Sequence, residues 1–280
     1  MIDQTKRTQL LTDGYCHVTN ILDNIMLNRL RQATDLMLDT QSEEHKARFR
    51  SQGSMFAFSQ TVDDVFAELI AWPKALGALA TLGFTDVTYT DGYLISKPPH
   101  SPQLFWHYDW FAWVEPEMFE ATPLQVFCMY YLTDTRRENG CLRVIPGSHT
   151  TYNPLHDVIA APHSEELGRA ENMDRAEFQA RPDEIDLPIN AGDLVIGDAR
   201  LLHATHANQS DERRTVLTLW YQPDYGSLPE RVQAQMVAKT HPLAEAWSVD
   251  AKAMVQALYP VYEGDAEPHE RMYRPRSQQP

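Results

Sequence analysis

The sequence predicts a mainly β fold with α-helices: a double-stranded β-helix (jelly roll) core covered by helices from both ends of the chain. Short β-branched and aromatic runs fill the middle of the chain, turn-forming residues separate them, and apolar residues recur at helical spacing on either side. Several short strands with such punctuation are typical of antiparallel sandwiches and barrels. We therefore expect the β core in the middle of the chain and helical layers at its two ends.

The first part of the chain predicts a helical layer. Apolar residues recur every three or four positions in 22–38 and again in 65–82, where Pro73 should interrupt the helix. Segment 14–22 is predicted to be a short strand or an extended entry to the core, and segment 46–60 is predicted to be a loop.

The middle of the chain predicts the β core. Six runs have the composition of strands, and turn-forming stretches such as KPPHSP, RRENG and NQSDE lie between them. The runs are 87–97, 103–111, 124–133, 141–147, 193–199 and 214–221. A polar insertion at 151–186 interrupts the core, and insertions of this length are typically functional lids or disordered segments.

The last part of the chain predicts two amphipathic helices between Leu228 and Tyr259, on either side of Pro242, and we expect them to cover the barrel. No internal repeat or linker divides the sequence. We therefore predict a single domain, 1–280, built from a helical layer (1–86), the jelly-roll core (87–221) and a helical extension (222–280).

The composition indicates which partners and which cellular location to expect. With 280 residues, 43% of them hydrophobic, the chain can bury one large core. A formal net charge of −15 disfavours nucleic acid and anionic membrane surfaces, because both would repel it. Three cysteines without CxxC spacing, no apolar run near the roughly 20 residues of a membrane span and no signal-peptide core favour a cytoplasmic protein. None of these features predicts an oligomeric state.

The stretch FWHYDWFAW at 105–113 sets two polar side chains among aromatic ones. If it is a strand, His107 and Asp109 point to the same side, because side chains alternate between faces. An imidazole and a carboxylate on one face are half of the two-histidine, one-carboxylate site that holds non-haem Fe(II). The His-x-Asp pattern alone is common, so a core strand with two tolerated polar residues stays open as an alternative.

A second segment, 192–221, can supply the rest of such a site. His203 ends one strand-like run, and Arg213 and Arg214 open the next after a polar turn. A histidine and an arginine on one hairpin can reach one cavity, although only one of two adjacent strand residues points inward.

Together these segments resemble the phytanoyl-CoA dioxygenase family, whose members are Fe(II)- and 2-oxoglutarate-dependent oxygenases on a cupin-like jelly roll. The family pattern H-x4-N-x-S-x3-R is matched in register by His203, Asn208, Ser210 and Arg214. ENGCLRVIPGSH at 138–149, YLISKPP at 93–99 and DGYCHVTNIL at 13–22 match further blocks. The blocks follow one another in the family's order.

The resemblance implies roles for individual residues. Fe(II) should be held by His107, Asp109 and His203, and Arg214 should pair with the distal carboxylate of the co-substrate 2-oxoglutarate, with dioxygen as the third reactant. Three further residues should line the co-substrate pocket: Thr205, Tyr93 and Met129. The same register selects His203 rather than His206 as the ligand, and Arg214 rather than Arg213.

The resemblance also implies an activity. The family hydroxylates an unactivated C–H bond of a small molecule and releases succinate and carbon dioxide. Related halogenases carry a small residue where this chain has Asp109, so hydroxylation is favoured over halogenation. Desaturation, cyclisation or epimerisation at the same iron site stays open, as does a non-catalytic jelly-roll protein that binds a metal or ligand.

Substrate selection is expected in 46–60, 110–120 and 151–186, where the resemblance gives no guidance. Trp110 and Trp113 follow the metal ligands and could form an apolar wall or an aromatic cage for a cationic substrate. His163 and Arg169 could contact substrate from a lid.

Two residues near the motifs are expected to have structural roles. His149, at the end of the PGSH turn, should satisfy a backbone group. Lys97, at a strand end, should extend its ammonium group to solvent.

Overall fold

The structure is a computed structural model that describes residues 2–113, 120–159 and 164–269. Its helices are α1 (Gln4–Asp13), α2 (Asn24–Asp39), α3 (Glu43–Arg48), α4 (Val65–Ile70), α5 (Pro73–Thr81), α6 (Leu155–Val158), α7 (Glu165–Arg169), α8 (Glu230–Lys239) and α9 (Val249–Gln256). Its strands are β1 (Tyr15–Val18), β2 (Ser54–Ala57), β3 (Thr88–Lys97), β4 (Leu104–His107), β5 (Val126–Tyr131), β6 (Leu142–Val144), β7 (Ile185–Leu187), β8 (Leu194–Asp198), β9 (His203–Thr205) and β10 (Arg214–Gln222).

The strands form two antiparallel sheets. One sheet has six strands in the order β1-β8-β5-β10-β3-β2, and the other has four in the order β4-β9-β6-β7. Side chains from both meet in one apolar cluster, in which Phe127 and Met129 of the larger sheet join Leu142 and Val144 of the smaller one. Two sheets that face each other in this way confirm the predicted jelly-roll core.

Strand β10 shows how the sequence produces this layering. Arg214, Val216, Thr218 and Trp220 all line a cavity between the sheets. The alternate residues, such as Leu217, lie in the apolar cluster on the outer face of the larger sheet. Both faces are covered, so the strand is buried along almost its whole length.

Helices from both ends of the chain pack on the core, as predicted. Residues of α2, α4, α5 and α9 share the apolar cluster with the outer face of the six-stranded sheet. Val232 and Met236 of α8 pack instead on the aromatic residues that follow β4. Pro73 begins α5 and separates it from α4, in agreement with its predicted role. The division of 1–280 into a single domain stays a prediction.

The prediction of a loop at 46–60 is wrong. The chain there forms the end of α3 and then β2, which pairs with β3 as an edge strand. Gly53, with φ of +93°, precedes the strand, and a Cβ at this position would lie 2.4 Å from the carbonyl oxygen of Ser96. A residue without a side chain is therefore needed for the close approach, which the sequence pattern did not show.

The insertion at 151–186 contains ordered elements, namely α6, α7 and β7. Arg169, predicted as a lid residue, forms an ion pair with Glu165 within α7. His163, predicted with it, lies outside the described residues, as does most of 110–120. Within the described ranges, no helix is long and apolar enough to cross a membrane.

We expect Gly197→Ala to destabilise the protein by about 1–3 kcal/mol, because a buried site without space must shift to accept a methyl group. A Cβ at Gly197 would lie 2.1 Å from the ring of Phe127. Gly77→Ala is the matched control, since Gly77 lies in α5 with no atom within 4 Å of an added Cβ. Alanine favours a helix by up to about 1 kcal/mol over glycine, so this change should leave stability equal or higher. Urea denaturation measures both, and equal stability of the two variants would contradict the packing described for Phe127.

Candidate metal centre

Two histidines face each other across a strand pair in the smaller sheet. His107 on β4 is the cross-strand partner of His203 on β9, and their ring centroids are 4.1 Å apart. The Nδ1 atom of His107 lies 3.1 Å from the carbonyl oxygen of Phe105, and that of His203 lies 3.0 Å from the carbonyl oxygen of Leu201. A proton on each Nδ1 satisfies these carbonyls and leaves the Nε2 lone pairs to bind a metal.

Asp109 completes the group, although β4 ends at His107. Its backbone N–H donates to the carbonyl oxygen of Ala199 at 2.8 Å, which fixes the chain just beyond the strand. The carboxylate oxygens lie 3.6 Å from Nε2 of His107 and 3.9 Å from Nε2 of His203. The indole N–H of Trp220 donates to Oδ2 of Asp109 at 2.9 Å.

The donor atoms of these three residues fit a single metal ion. One ligand atom from each lies within 4.8 Å of the others. Donors that share one first-row ion through bonds of about 2.1 Å are separated by roughly 3 to 4 Å, close to the distances above. Two neutral imidazoles and one carboxylate are the donor set of non-haem Fe(II) sites that keep open positions. His107, Asp109 and His203 could therefore hold Fe(II).

A second cluster of potential ligands, Cys141, Asp186 and His206, fits a metal less well. Asp186 already accepts from His206 at 2.6 Å and from Arg137 at 2.8 Å, so its carboxylate is engaged by cationic or polar partners. Burial raises the pKa of Cys141 to about 11, which keeps the thiol protonated at neutral pH. The pairing with Asp186 thus gives His206 a structural role.

A cavity of about 490 Å³ between the two sheets contains the candidate metal centre. It brings together every residue predicted for iron and 2-oxoglutarate: Tyr93, His107, Asp109, Met129, His203, Thr205 and Arg214. These residues come from five strands and the segment after β4, and none of the strand pairings could be deduced from the motifs themselves.

Arg214 lies at one end of this cavity, where β10 begins. Its side chain is 3% exposed, and within the described ranges the guanidinium has neither a hydrogen bond nor an ion pair. Burial lowers the pKa of Arg214, yet a guanidinium remains charged in proteins. The hydroxyl of the neighbouring Thr205 is likewise buried without a partner in the described chain. An unpaired buried cation is costly, so this end of the cavity is suited to an anion.

The asparagine and serine of the motif hold the hairpin between β9 and β10. The side-chain amide of Asn208 donates to the carbonyl oxygens of Lys97, Pro98 and Glu212, and its Oδ1 accepts from the hydroxyl of Ser210 at 2.7 Å. These bonds tie the turn to the end of β3. They set the relative position of the candidate metal ligand on β9 and the arginine on β10.

Trp110 and Trp113 do not line the cavity. Both are fully buried and pack with Val232 and Met236 of α8 in a separate apolar cluster. The strand ends before them, so their side chains do not continue the alternation that directs His107 inward. The structure therefore replaces their predicted contact with substrate by a packing role.

Two structural expectations have different outcomes. His149 is buried and its Nε2 contacts the carbonyl oxygen of Leu11 at 3.1 Å, as predicted. The expectation for Lys97 is wrong, because its side chain is fully buried and Nζ donates to the carbonyl oxygens of Ser51 and Pro102. The chain segments that cover the end of β3 block the route to solvent.

Several cavity residues were not predicted. Trp220, Asp91 and Gln125 could have been found, because they lie at even spacing from Arg214, Tyr93 and Met129 along predicted strands and would share their faces. Lys239 and His241 also line the cavity, but they lie outside the strands. The sequence carries no signal for the position of these two residues.

Comparison with known proteins agrees with this geometry. The profile of the family described as phytanoyl-CoA dioxygenase (PhyH) matches residues 10–216. A phytanoyl-CoA dioxygenase domain-containing protein 1 homolog of Dictyostelium discoideum is 27% identical over 179 residues, which cover 59% of this chain and 53% of that protein. An ectoine dioxygenase of Nocardia farcinica is 23% identical over 247 residues, which cover 82% of this chain and 80% of that protein. The chain thus spans about half the length of the first relative and most of the second.

Solved structures share the fold. The non-heme alpha ketoglutarate dependent carbocyclase SnoK from nogalamycin biosynthesis superposes with a TM-score of 0.59 at 19% identity, covering 79% of this chain and 84% of that chain. EctD from S. alaskensis, solved with 2-oxoglutarate and 5-hydroxyectoine, has a TM-score of 0.58 at 22% identity, covering 79% and 76%. At these identities the likeness establishes the cupin-like jelly-roll fold.

We expect Trp220→Phe to weaken the binding of a divalent metal by about ten-fold or more, because partners that orient a ligand carboxylate have effects of this size. Co(II) titration followed by absorbance measures the affinity. Trp72→Phe is the matched control, since it removes an indole hydrogen bond of the same length, to Ile21, elsewhere in the protein. Equal affinities in the two variants would show that Trp220 does not act on a metal ligand.

Proposed function

Because the chain belongs to the phytanoyl-CoA dioxygenase family, we propose that it is an Fe(II)/2-oxoglutarate-dependent dioxygenase that hydroxylates a C–H bond of a small molecule. Succinate and carbon dioxide are the expected co-products. Related proteins of the same fold are described with these groups: SnoN with Fe3+ and alpha ketoglutarate, and EctD with 2-oxoglutarate. A small-molecule substrate and a cytoplasmic location complete the proposal.

The position of Arg214 is the observation that carries the proposal. A buried guanidinium without a partner in the described chain faces the same cavity as His107, Asp109 and His203. 2-Oxoglutarate is a dianion with a carboxylate at each end, so one end can pair with Arg214 while the other reaches the metal. The fork of a guanidinium binds a carboxylate through two charge-assisted hydrogen bonds.

The remaining residues have roles that follow from their contacts. His107, Asp109 and His203 would hold the iron, and Trp220 orients the carboxylate of Asp109. The hydroxyl of Thr205 would donate to the co-substrate near Arg214. When bound, iron with 2-oxoglutarate and dioxygen supplies the oxidising power that breaks the C–H bond. The enclosing sheets exclude water from this chemistry.

Hydroxylation is proposed over halogenation because Asp109 occupies a position that would otherwise be open to a halide. Two proteins of similar fold are described as an epimerase and a carbocyclase, so the outcome is decided by product analysis. Hydroxylation adds one oxygen atom to the substrate. Desaturation removes two hydrogen atoms, and epimerisation or cyclisation adds no oxygen.

We expect Asp109→Ala to abolish succinate release that depends on substrate, because it removes one of three proposed iron ligands. Succinate is measured during a screen of candidate small molecules with Fe(II), 2-oxoglutarate and dioxygen. Asp211→Ala serves as the control, since the side chain of Asp211 is 97% exposed on a turn. Turnover retained in Asp109→Ala would remove this residue from the ligand set.

We expect Arg214→Ala to raise the KM for 2-oxoglutarate by about ten-fold or more while the metal still binds, since a charge-assisted contact contributes at least this much. Arg213→Ala is the matched control, because Arg213 is the adjacent residue and pairs with Asp35 and Asp39 outside the cavity. An unchanged KM in Arg214→Ala would mean that another residue holds the distal carboxylate.

A further inference from the structure

The cavity extends along β10 from Arg214 to Trp220, whose indole is hydrogen-bonded to Asp109 of the candidate metal centre. Arg214 and Trp220 are six residues apart on β10 and both face the cavity, which corresponds to roughly 20 Å along the strand. At the Trp220 end lies a group of residues that we name the distal subsite: Asp91, Tyr93, Gln125, Thr218 and Trp220. The roles assigned above to iron and 2-oxoglutarate do not account for Asp91, Gln125 and Thr218.

Regular pairing with β10 directs Asp91 into this subsite, and a β-bulge next to it turns Tyr89 to the other face. On β10, Trp220 pairs with Asp91 of β3, whereas the next residue, Tyr221, pairs with Tyr89. Thr90 is therefore an extra residue in β3. Cross-strand partners share a face, so Asp91 points into the cavity with Trp220, while Tyr89 and Tyr221 lie in the outer apolar cluster.

Polar atoms of the distal subsite lack partners within the described part of the chain. Oδ1 of Asp91 and the hydroxyl of Thr218 are buried and form no hydrogen bond with the described residues. Gln125 lines the same region and is 5% exposed. Buried polar groups are almost always paired, and leaving them unpaired is destabilising, so the groups of Asp91 and Thr218 indicate a polar ligand.

The charges and rings around Asp91 favour a cationic ligand. Lys239 and His241 lie near enough to attract the carboxylate of Asp91, yet neither bonds to its Oδ1, which has no hydrogen bond in the described structure. Nζ of Lys239 lies 3.3 Å from the ring centroid of Phe111, and Nε2 of His241 contacts the hydroxyl of Tyr93 at 3.2 Å. Asp91 thus keeps hydrogen-bonding capacity that faces the cavity.

Aromatic faces lie beside this carboxylate. The rings of Tyr93 and Trp220 meet edge to face with centroids 5.9 Å apart and form a corner of the cavity. A carboxylate next to aromatic faces suits an organic ammonium group, because the negative faces of the rings attract the cation while the carboxylate pairs with it.

We propose that the distal subsite binds a protonated amine of the substrate, with Asp91 as its counter-charge and the rings of Tyr93 and Trp220 against its carbon atoms. The assignment of this amine to the substrate rests on the proposed dioxygenase function. Trp220 is the cross-strand partner of Asp91, and its indole N–H donates to Asp109. The amine nitrogen of the substrate is therefore held close to the metal centre. The oxidised C–H bond therefore lies near the amine, and the substrate class is a small amine or zwitterion.

The electrostatics around Asp91 are compatible with this assignment. Burial raises the pKa of Asp91, the attraction of Lys239 and His241 opposes the rise, and the repulsion from Asp109 adds to it. A bound ammonium group would place a further positive charge beside the carboxylate and stabilise its ionised form.

The test compares three probes of nearly equal size: benzylamine, benzyl alcohol and benzoate. The protein is supplied anaerobically with Fe(II) and saturating 2-oxoglutarate, which keeps benzoate from Arg214. The concentration dependence of the melting temperature gives an apparent Kd for each probe. We expect the Kd of benzylamine to be lower than that of benzyl alcohol by about ten-fold or more, as a charge-assisted contact predicts. Equal binding of the two, or a preference for benzoate through Lys239, would overturn the proposal.

Asp91→Asn supplies the second arm, because it keeps the shape of the side chain and removes its charge. Its preference for benzylamine should disappear, while Asp211→Asn, which changes the net charge equally at an exposed site, should retain it. A preference that persists in Asp91→Asn would place the amine elsewhere. If Asp91→Asn does not fold, the comparison of probes on the unaltered protein still decides the matter.

The two proposals fail in different ways. If 2-oxoglutarate binds through Arg214 but the protein shows no preference for the amine, only the distal subsite is refuted. If the amine binds through Asp91 but no compound stimulates succinate release, the dioxygenase function is refuted and the binding site stands.

Discussion

The charge of Arg214, which has no partner in the described part of the chain, constrains the residues around it. A guanidinium cannot give up its proton at neutral pH, and burial removes the water that would otherwise stabilise it. The fold keeps Arg214 in place through its backbone, because β10 lies between β3 and β5 and is hydrogen-bonded on both sides. An anion of the right length that paired with the guanidinium would offset the cost of its burial. In the proposed function, this pairing contributes to the affinity for 2-oxoglutarate.

Strand β10 sets the order in which the groups that line the cavity follow one another. Its inward residues run from the cation that suits 2-oxoglutarate, past Thr218, to the indole that fixes Asp109. Side chains on one face of a strand recur every second residue, so the rise of the backbone per residue sets the distance between them. The Arg214 end of the cavity and the distal subsite are therefore separated by a fixed distance, and the candidate metal centre lies next to the distal subsite, where Trp220 donates to Asp109.

Much of the fold and of the candidate metal centre could be predicted from the sequence. His107, Asp109, His203 and Arg214 lie in motifs whose spacing is local, and the structure brings them to one cavity. Strand β2 escaped prediction because it is an edge strand stabilised by pairing with β3, which no local pattern reports. Trp110 and Trp113 were misjudged because the strand ends at His107, and packing against α8 then decides their direction. The position of Lys239 and His241 at the cavity depends on contacts with distant segments of the chain, and such contacts produce no local sequence pattern.

The secondary-structure elements that carry the cavity residues determine which substitutions the protein can accept. The groups proposed to bind iron and 2-oxoglutarate lie on or directly after strands, and the turn tied down by Asn208 leaves little freedom in the length of the chain between His203 and Arg214. Lys239 and His241 instead come from the end of α8 and the segment after it, which is joined to β3 by the backbone bond from His241 to Thr90. Substitutions in that segment can reshape what the cavity accepts without moving the metal ligands. New specificities are therefore accessible by single mutational steps that preserve the chemistry.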